Sequence, residues 1–144
     1  TKIDDVETLF LTNYFSLFRI IQRVSKRMSR QKRGCIINMG SIAGIEPQPG
    51  KIAYGTSKAA VMHMTKCLAK ELGPLGIRVN CIAPGPIDTE MIHQYSDEML
   101  CKLASESSLR RLGKGEEIAN VALFLASEGA SYINGEIIKV DGGR

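Results

Sequence analysis

Apolar side chains recur every three or four residues through the first stretch of the chain. Val6, Leu9, Leu17, Ile20, Val24 and Met28 trace one stripe, broken only by the polar Asn13. That period predicts one helix over residues 5–30. Asp4 and Glu7 are spaced to open it as a capping box, and Gly34 ends it. Cys35-Ile-Ile-Asn-Met39 reads as a short buried strand, broken by Gly40-Ser41. Residues 43–50 hold two prolines and two glycines and form a loop. A second helix is predicted over 51–72, with Val61, Met64, Leu68 and Leu72 on one face, and Gly73-Pro74 stops it. A second strand follows at 77–82, then a forced turn at Pro84-Gly85-Pro86. Residues 88–113 are polar with scattered large apolar side chains, including Met91, Ile92, Tyr95, Met99 and Leu103. This stretch reads as a lid with a short helix near 97–104. A third helix over 115–127 and a third strand over 136–140 complete the pattern.

Apolar strands separated by helices predict an α/β fold built on a parallel sheet with helical crossovers. Three strands make that sheet thin. The leading helix is itself expected to be a crossover from a strand earlier than Thr1. The strand at 35–39 is then expected to expose an edge unless something pairs with it or covers it.

Composition narrows the function classes. The chain has 144 residues, 44% of them hydrophobic and 24% charged, as an ordinary globular domain has. No apolar run approaches the roughly 20 residues of a membrane helix, and the first residues lack the order of a signal peptide. The four cysteines are 32, 14 and 20 residues apart with no ligand-like spacing. They read as small buried hydrophobes in a reducing, cytoplasmic setting. His63 and His93 are isolated, so no metal site is expected. The net charge of +4 is uneven: no acid falls between Thr8 and Ile45, while Arg19, Arg23, Lys26, Arg27, Arg30, Lys32 and Arg33 do. These cations read as a solvated helix face or as a docking patch for an acidic partner. No aromatic residues interleave with them, which argues against nucleic acid.

The candidate chemistry gathers around Tyr54 and Lys58, four residues apart and so on one helical face. Ser41 lies just past a strand end, where open α/β sheets place their ligands. The helix at 51–72 returns across the sheet, so Tyr54 can face that same edge. The Pro84-Gly85-Pro86 turn leaves the neighbouring strand end. Asn13 is an amide on an apolar stripe and must find a hydrogen-bond partner or destabilise the fold.

With these elements the chain resembles a short-chain dehydrogenase/reductase. The resemblance rests on Asn13 in TNYFSLFRIIQ, Asn38-Met-Gly-Ser41, Tyr54-Gly-Thr-Ser-Lys58, Asn80 with Pro84-Gly85-Pro86-Ile87-Asp88-Thr89, and Asp141-Gly-Gly143. It spans nearly the whole chain, and its flavour is similar to 3-oxoacyl-(acyl-carrier-protein) reductases. It implies the C-terminal half of a Rossmann-like doubly wound parallel sheet. It also implies hydride transfer between NAD or NADP and a carbonyl or alcohol. The resemblance makes Tyr54 the general acid/base, Ser41 a donor to the developing alkoxide, and Lys58 the perturbing ammonium that also bonds the nicotinamide ribose. Asn13 would hold a water linking Lys58 to solvent. Pro84, Gly85, the Ile87 backbone and Thr89 would bind the nicotinamide end, and Asn80 would brace the Ser41 loop. A free phenol titrates near pH 10, so work near neutrality asks for a shift of about 3 units, roughly 4 kcal/mol. An ammonium about 4 Å away, at an effective dielectric of about 20, supplies about that much.

No glycine-rich turn of the kind that holds a pyrophosphate is present; Gly40, Gly44 and Gly50 are too far apart to form one. Residues 1–144 therefore read as a partial Rossmann-like domain, the catalytic and nicotinamide-side half, expected not to turn over substrate alone. The lid and the 43–50 loop are expected to set the substrate, a small carbonyl compound or one linked to an acyl carrier. A homo-oligomer is expected through helices 5–30 and 51–72, with Ala53, Ala59, Ala60 and Val61 offering contact material. A cofactor-retaining epimerase or dehydratase, and a non-catalytic scaffold fragment, are the alternatives. Asp88-Thr89 and the terminal Asp-Gly-Gly favour the reductase.

Overall fold

A computed structural model describes residues 1–90 and 92–144; Met91, part of the predicted lid, lies outside the described residues. The predicted alternation is present. Helix α1 (Ile3–Phe10) runs through a wide π-type turn (Leu11–Phe15) into α2 (Ser16–Gln31). Strand β1 (Gly34–Met39) leads to α3 (Ile52–Leu72), which leads to β2 (Ile77–Pro84). Helices α4 (Asp97–Ser105) and α5 (Gly115–Ala126) precede β3 (Ile137–Val140). The sheet is parallel, in the order β1-β2-β3, with Gly34 opposite Ile77 and Cys81 opposite Ile137.

The strands are apolar on both faces because helices cover both. On β2, Ile77, Val79, Cys81 and Ala83 point toward α3, where Met62 and Met64 meet them. The alternate residue Ile82 points the other way, onto Leu125 of α5 and Ala130. β1 divides likewise, with Ile36 on the first face and Ile37 on the second. β1 pairs only with β2, so its far edge carries no strand among the described residues.

Three local expectations are corrected. The first helix starts at Ile3, and its opening carboxylate is Asp5, which accepts the Lys2 N–H at 3.2 Å, rather than the Asp4–Glu7 pair. The predicted stripe holds through Leu17 and then slips: Ile21 is buried whereas Ile20 is 58% exposed. The π-type turn at Leu11–Phe15 takes up an extra residue before Leu17; beyond it Ile21 turns inward in place of Ile20, and Met28 again packs against the core. Finally, Cys67 and Cys101 are exposed and only Cys81 is fully buried.

Asn80 does different work from that expected. It is buried on β2, its amide donates to the Ile133 carbonyl at 2.9 Å, and its carbonyl accepts the Glu136 N–H at 3.0 Å. It therefore braces the segment that enters β3, not the Ser41 loop.

Candidate active site

At the carboxyl ends of β1 and β2, Ser41, Tyr54, Gly85 and Pro86 of the predicted residues line one cleft, whereas Ile87 and Thr89 do not. Ser41 follows β1 with an extended backbone and is nearly buried. Its hydroxyl oxygen accepts the Ala43 N–H at 3.2 Å. A hydroxyl holds one donor and two acceptor positions, so this contact leaves the Ser41 proton for another acceptor. Tyr54, in the first turn of α3, lines one cleft of about 330 Å³ with Ser41, Gly85 and Pro86.

Gly55 explains how α3 comes so close. A Cβ there would stand 2.6 Å from the Ala43 carbonyl oxygen, so only glycine lets the Ser41 loop rest on the helix. One turn on from Tyr54, Lys58 reaches across to β1. Its Nζ donates to the Met39 carbonyl at 3.0 Å and sits 5.9 Å from the centre of the Tyr54 ring. Burial lowers the Lys58 pKa, opposed by the nearby Cys81. One carbonyl occupies one of three ammonium protons, so the group keeps capacity for further acceptors.

Asn13 has found its partner. Its amide donates to the Ser57 hydroxyl at 3.0 Å, and Ser57 donates in turn to the Tyr54 carbonyl at 2.8 Å. Asn13 sits inside the π-type turn, and its amide meets α3 there. Asn38, at 2% exposure, donates to Thr65 at 2.8 Å and ties β1 to α3.

On β2, Pro84 ends the strand and Gly85 turns the chain away. A Cβ on Gly85 would meet the Asp141 Cα at 2.8 Å, which fixes this turn against the end of β3. Ile87 forms a parallel bridge with Gly113: Gly113 N–H bonds Pro86, and Asp88 N–H bonds Gly113. In such a bridge the central residue's own N–H and C=O face the opposite side. The Ile87 N–H has no backbone partner among the described residues. Ile87 thus offers a donor beside an acceptor, the complement of a primary carboxamide, and a nicotinamide fits the residues present. Thr89 is exposed, bonds back to the Ile87 carbonyl at 3.4 Å, and does not line the cleft.

The lid contributes as expected: Ile92, Tyr95, Met99 and Leu103 form the apolar wall facing Ser41 and Tyr54, and Gln48 adds the loop. Sequence reasoning missed Arg144 and Lys51, which also line the cleft. Neither belongs to a periodic pattern or a motif, so no signal marked them. The Asp141-Gly-Gly143 end pins the lid's return, with Ser107 donating to Gly142 at 3.1 Å and Ser108 to Gly143 at 2.7 Å.

The basic run remains on exposed helix surface. Arg33 precedes the first residue of β1, whereas Ser41 follows its last, so Arg30 and Arg33 lie about 20 Å from the cleft along the strand. Among the described residues, no helix is long and apolar enough to cross a membrane. No group of three or more metal-ligating side chains is found among them either.

Beneath Lys58, burial pushes the Cys81 thiol from 9.0 up to about 11, against the opposing pull of the Gly40 N–H, Thr65 and Lys58. The folded chain therefore keeps a proton that the unfolded chain releases, and this share of stability falls as pH rises from 9 toward 11. Lys58 acts in the opposite sense, its share rising with pH up to 10.5. In urea titrations, the stability of the wild-type chain minus that of Cys81→Ala is expected to decrease over this window. A difference independent of pH contradicts it.

Known proteins share this arrangement. The family described as enoyl-(acyl carrier protein) reductase matches residues 1–144. The 3-oxoacyl-[acyl-carrier-protein] reductase of Chlamydia trachomatis is 44% identical over 132 residues, 92% of this chain and 53% of that protein. The corresponding reductase of Thermotoga maritima is 42% identical over 142 residues, 99% of this chain and 58% of that protein. A solved 3-oxoacyl-[acyl-carrier protein] reductase from Brucella melitensis superposes with a TM-score of 0.96 at 35% identity, over 99% of this chain and 54% of that one. A 7α-hydroxysteroid dehydrogenase solved with NADH and 7-oxo glycochenodeoxycholic acid gives 0.95 at 36% identity, over 99% of this chain and 56% of that one. The chain spans little more than half the length of the relatives it matches.

Proposed function

Because this chain belongs to the enoyl-(acyl carrier protein) reductase family, within the short-chain dehydrogenases/reductases, we propose that it forms the catalytic and nicotinamide-side half of an oxidoreductase. Joined to its nucleotide-binding half, that oxidoreductase reduces a carbonyl to an alcohol with NADH or NADPH. The observation that carries this reading is the joint placement of Ser41 and Tyr54 on one cleft, with the Lys58 ammonium held beside the Tyr54 ring.

The nicotinamide, when bound, supplies a hydride. Ile87 N–H and C=O would hold its carboxamide, and Lys58 would reach its ribose. The Tyr54 hydroxyl gives its proton to the substrate oxygen as the carbonyl is reduced. The Ser41 hydroxyl, oriented by its bond to Ala43, donates to that same oxygen as negative charge grows on it. The Lys58 ammonium favours the phenolate left behind. Asn13, through Ser57, fixes the turn of α3 that carries Tyr54.

The apolar cleft wall suits an acyl chain, so the substrate class is a 3-oxoacyl thioester or a ketone of similar shape. The exposed Leu11, Phe15, Phe18 and Ile20 offer a face for a second copy of the chain. Ala53 and Val61 are buried within their own chain, so they are unavailable to such a contact.

The reading is tested by mixing NADH or NADPH with an acetoacetyl thioester and following loss of the reduced nicotinamide. The 144-residue chain is assayed alone and joined to the nucleotide-binding half of a relative. Carbonyl-dependent oxidation is expected in the joined form and absent from the chain alone. Nucleotide binding without net oxidation contradicts the proposal and points to a cofactor-retaining reaction. In the joined form, Gly55→Ala pushes the Ala43 carbonyl away and is expected to lower kcat by about 10- to 100-fold, with the secondary structure unchanged by circular dichroism.

A further inference from the structure

The cleft's two walls belong to separate parts of the chain. Residues 41–51 carry Ser41, Gln48 and Lys51 on one side. The other is the lid, ending in α4 with Met99 and Leu103. Neither wall is part of the sheet, so the width between them needs its own support.

Arg144 stands at the seam. It lines the cleft, with its side chain only 19% exposed. Its Nη1 lies 2.8 Å from Glu106 Oε2, at the C-terminal cap of α4. Its Nε lies 3.6 Å from Glu46 Oε2, in the loop that follows Ser41. One guanidinium therefore touches both walls, and its planar fork suits two carboxylates at once. The backbone beneath is held as well, since Lys139 Nζ donates to the Arg144 carbonyl at 3.0 Å while approaching Glu46 Oε1 at 3.6 Å. Glu106 Oε2 is out of reach of water and receives no well-directed N–H. Its contact with Arg144 is a charge pair rather than an aligned hydrogen bond, and it is the only ion pair of that oxygen among the described residues. The Glu106 side chain as a whole is 31% exposed, so on losing its countercharge this oxygen turns out to water, and the end of α4 is then no longer tied to Arg144.

We propose that Arg144 is a positioning residue that sets the width of the cleft by tying the Ser41–Lys51 wall to the end of α4 through Glu46 and Glu106. That the cleft receives a carbonyl substrate rests on the function proposed above; the strut itself does not. With the strut in place, Met99 and Leu103 stand at a fixed distance from Tyr54 and Ser41. A substrate must then fill that gap to be held at the reacting hydroxyls.

Hydrogen exchange on the chain without substrate reads the strut directly. Arg144→Met keeps an unbranched side chain and removes the charge. Amides of residues 97–109 are expected to exchange about 10-fold faster, while those of β1 and β2 keep their rates. Arg144→Lys, which keeps a cation between Glu46 and Glu106, is expected to hold exchange of the lid to within about 3-fold of the original. Glu106→Gln, a milder change with no effect on the Arg144 backbone, is expected to accelerate the same amides by a smaller factor. Unchanged lid exchange in both Arg144→Met and Glu106→Gln overturns the proposal. Uniform acceleration across lid and sheet in Arg144→Met, with no recovery in Arg144→Lys, does the same and makes Arg144 a general stability residue. In the joined enzyme, Arg144→Met is expected to raise KM for a four-carbon substrate about 10-fold and leave kcat within about 2-fold. An equal loss in both contradicts an aperture role. Absence of turnover in the unsubstituted joined enzyme would remove the reductase reading while the exchange result stands.

Discussion

Tyr54→Phe in the joined enzyme is expected to lower kcat for carbonyl reduction by about 10²- to 10⁴-fold, the usual worth of a positioned general acid. The substitution removes one oxygen and leaves the ring, which lies beside the Lys58 ammonium and forms part of the cleft wall. Nucleotide binding should therefore persist, because the Ile87 donor–acceptor pair and the Lys58 stem are untouched. Lys58 should keep its bond to the Met39 carbonyl, so the fold around β1 is preserved. Single-turnover mixing separates the chemical step from binding. A residual rate within 3-fold of the original would show that the proton comes from elsewhere, and Ser41 would be the next residue to examine. Ser41→Ala is expected to cost less than the loss of Tyr54, because it removes one hydrogen bond to the developing charge while the proton donor stays in place.

Leu125→Ala is expected to destabilise the chain by about 2–5 kcal/mol, the range for emptying a buried leucine site. Leu125 has no exposed surface and lies against Ile82 and Ala130, with Ile37, Ile118 and Ile138 around them. These side chains come from all three strands and from α5, so the cavity cannot close by moving one element. Tyr54 and Lys58, proposed to act in catalysis, are on α3, across the sheet from Leu125. Folded protein should accordingly keep its cleft, and the loss should be read in the urea midpoint rather than in KM. A change below 1 kcal/mol would mean that α5 is not seated on the sheet as described. The neighbouring Phe124, 48% exposed, supplies the contrast, since its replacement by alanine removes far less buried surface.

Much of this arrangement was legible because its causes are local. The alternation of apolar strands with helices follows from side-chain period, and the bounds of α3, β1 and β2 follow from Gly34, Gly73-Pro74 and Pro84. The four-residue spacing puts Tyr54 and Lys58 on one helical face and Ser41 lies past a strand end, but their roles were legible only through the resemblance to short-chain dehydrogenases/reductases. What the pattern did not give depends on contacts between distant segments. The π-type turn carries Asn13, and nothing in TNYFSLF announces an extra residue in a turn. Asn80 was expected to serve the Ser41 loop. Its partners Ile133 and Glu136 are more than fifty residues away, brought near only by the pairing of β2 with β3. Arg144 follows the terminal glycines without any motif of its own. Its role emerges only when Glu46 and Glu106 meet around it. The exposure of Cys67 and Cys101 shows the limit of residue type as a guide: Cys67 falls on the outer side of α3, whose inner side is filled by residues such as Met64 and Ala69, and α4, which carries Cys101, buries none of its residues.

The most direct test of the account is a crystal structure of the joined enzyme with a bound nicotinamide dinucleotide and an unreactive ketone analogue. The account predicts the ketone oxygen within about 2.6–3.2 Å of both the Tyr54 and the Ser41 hydroxyls, with the Lys58 ammonium beside the ribose. A ketone seated elsewhere, or an oxygen that meets neither hydroxyl, would contradict it.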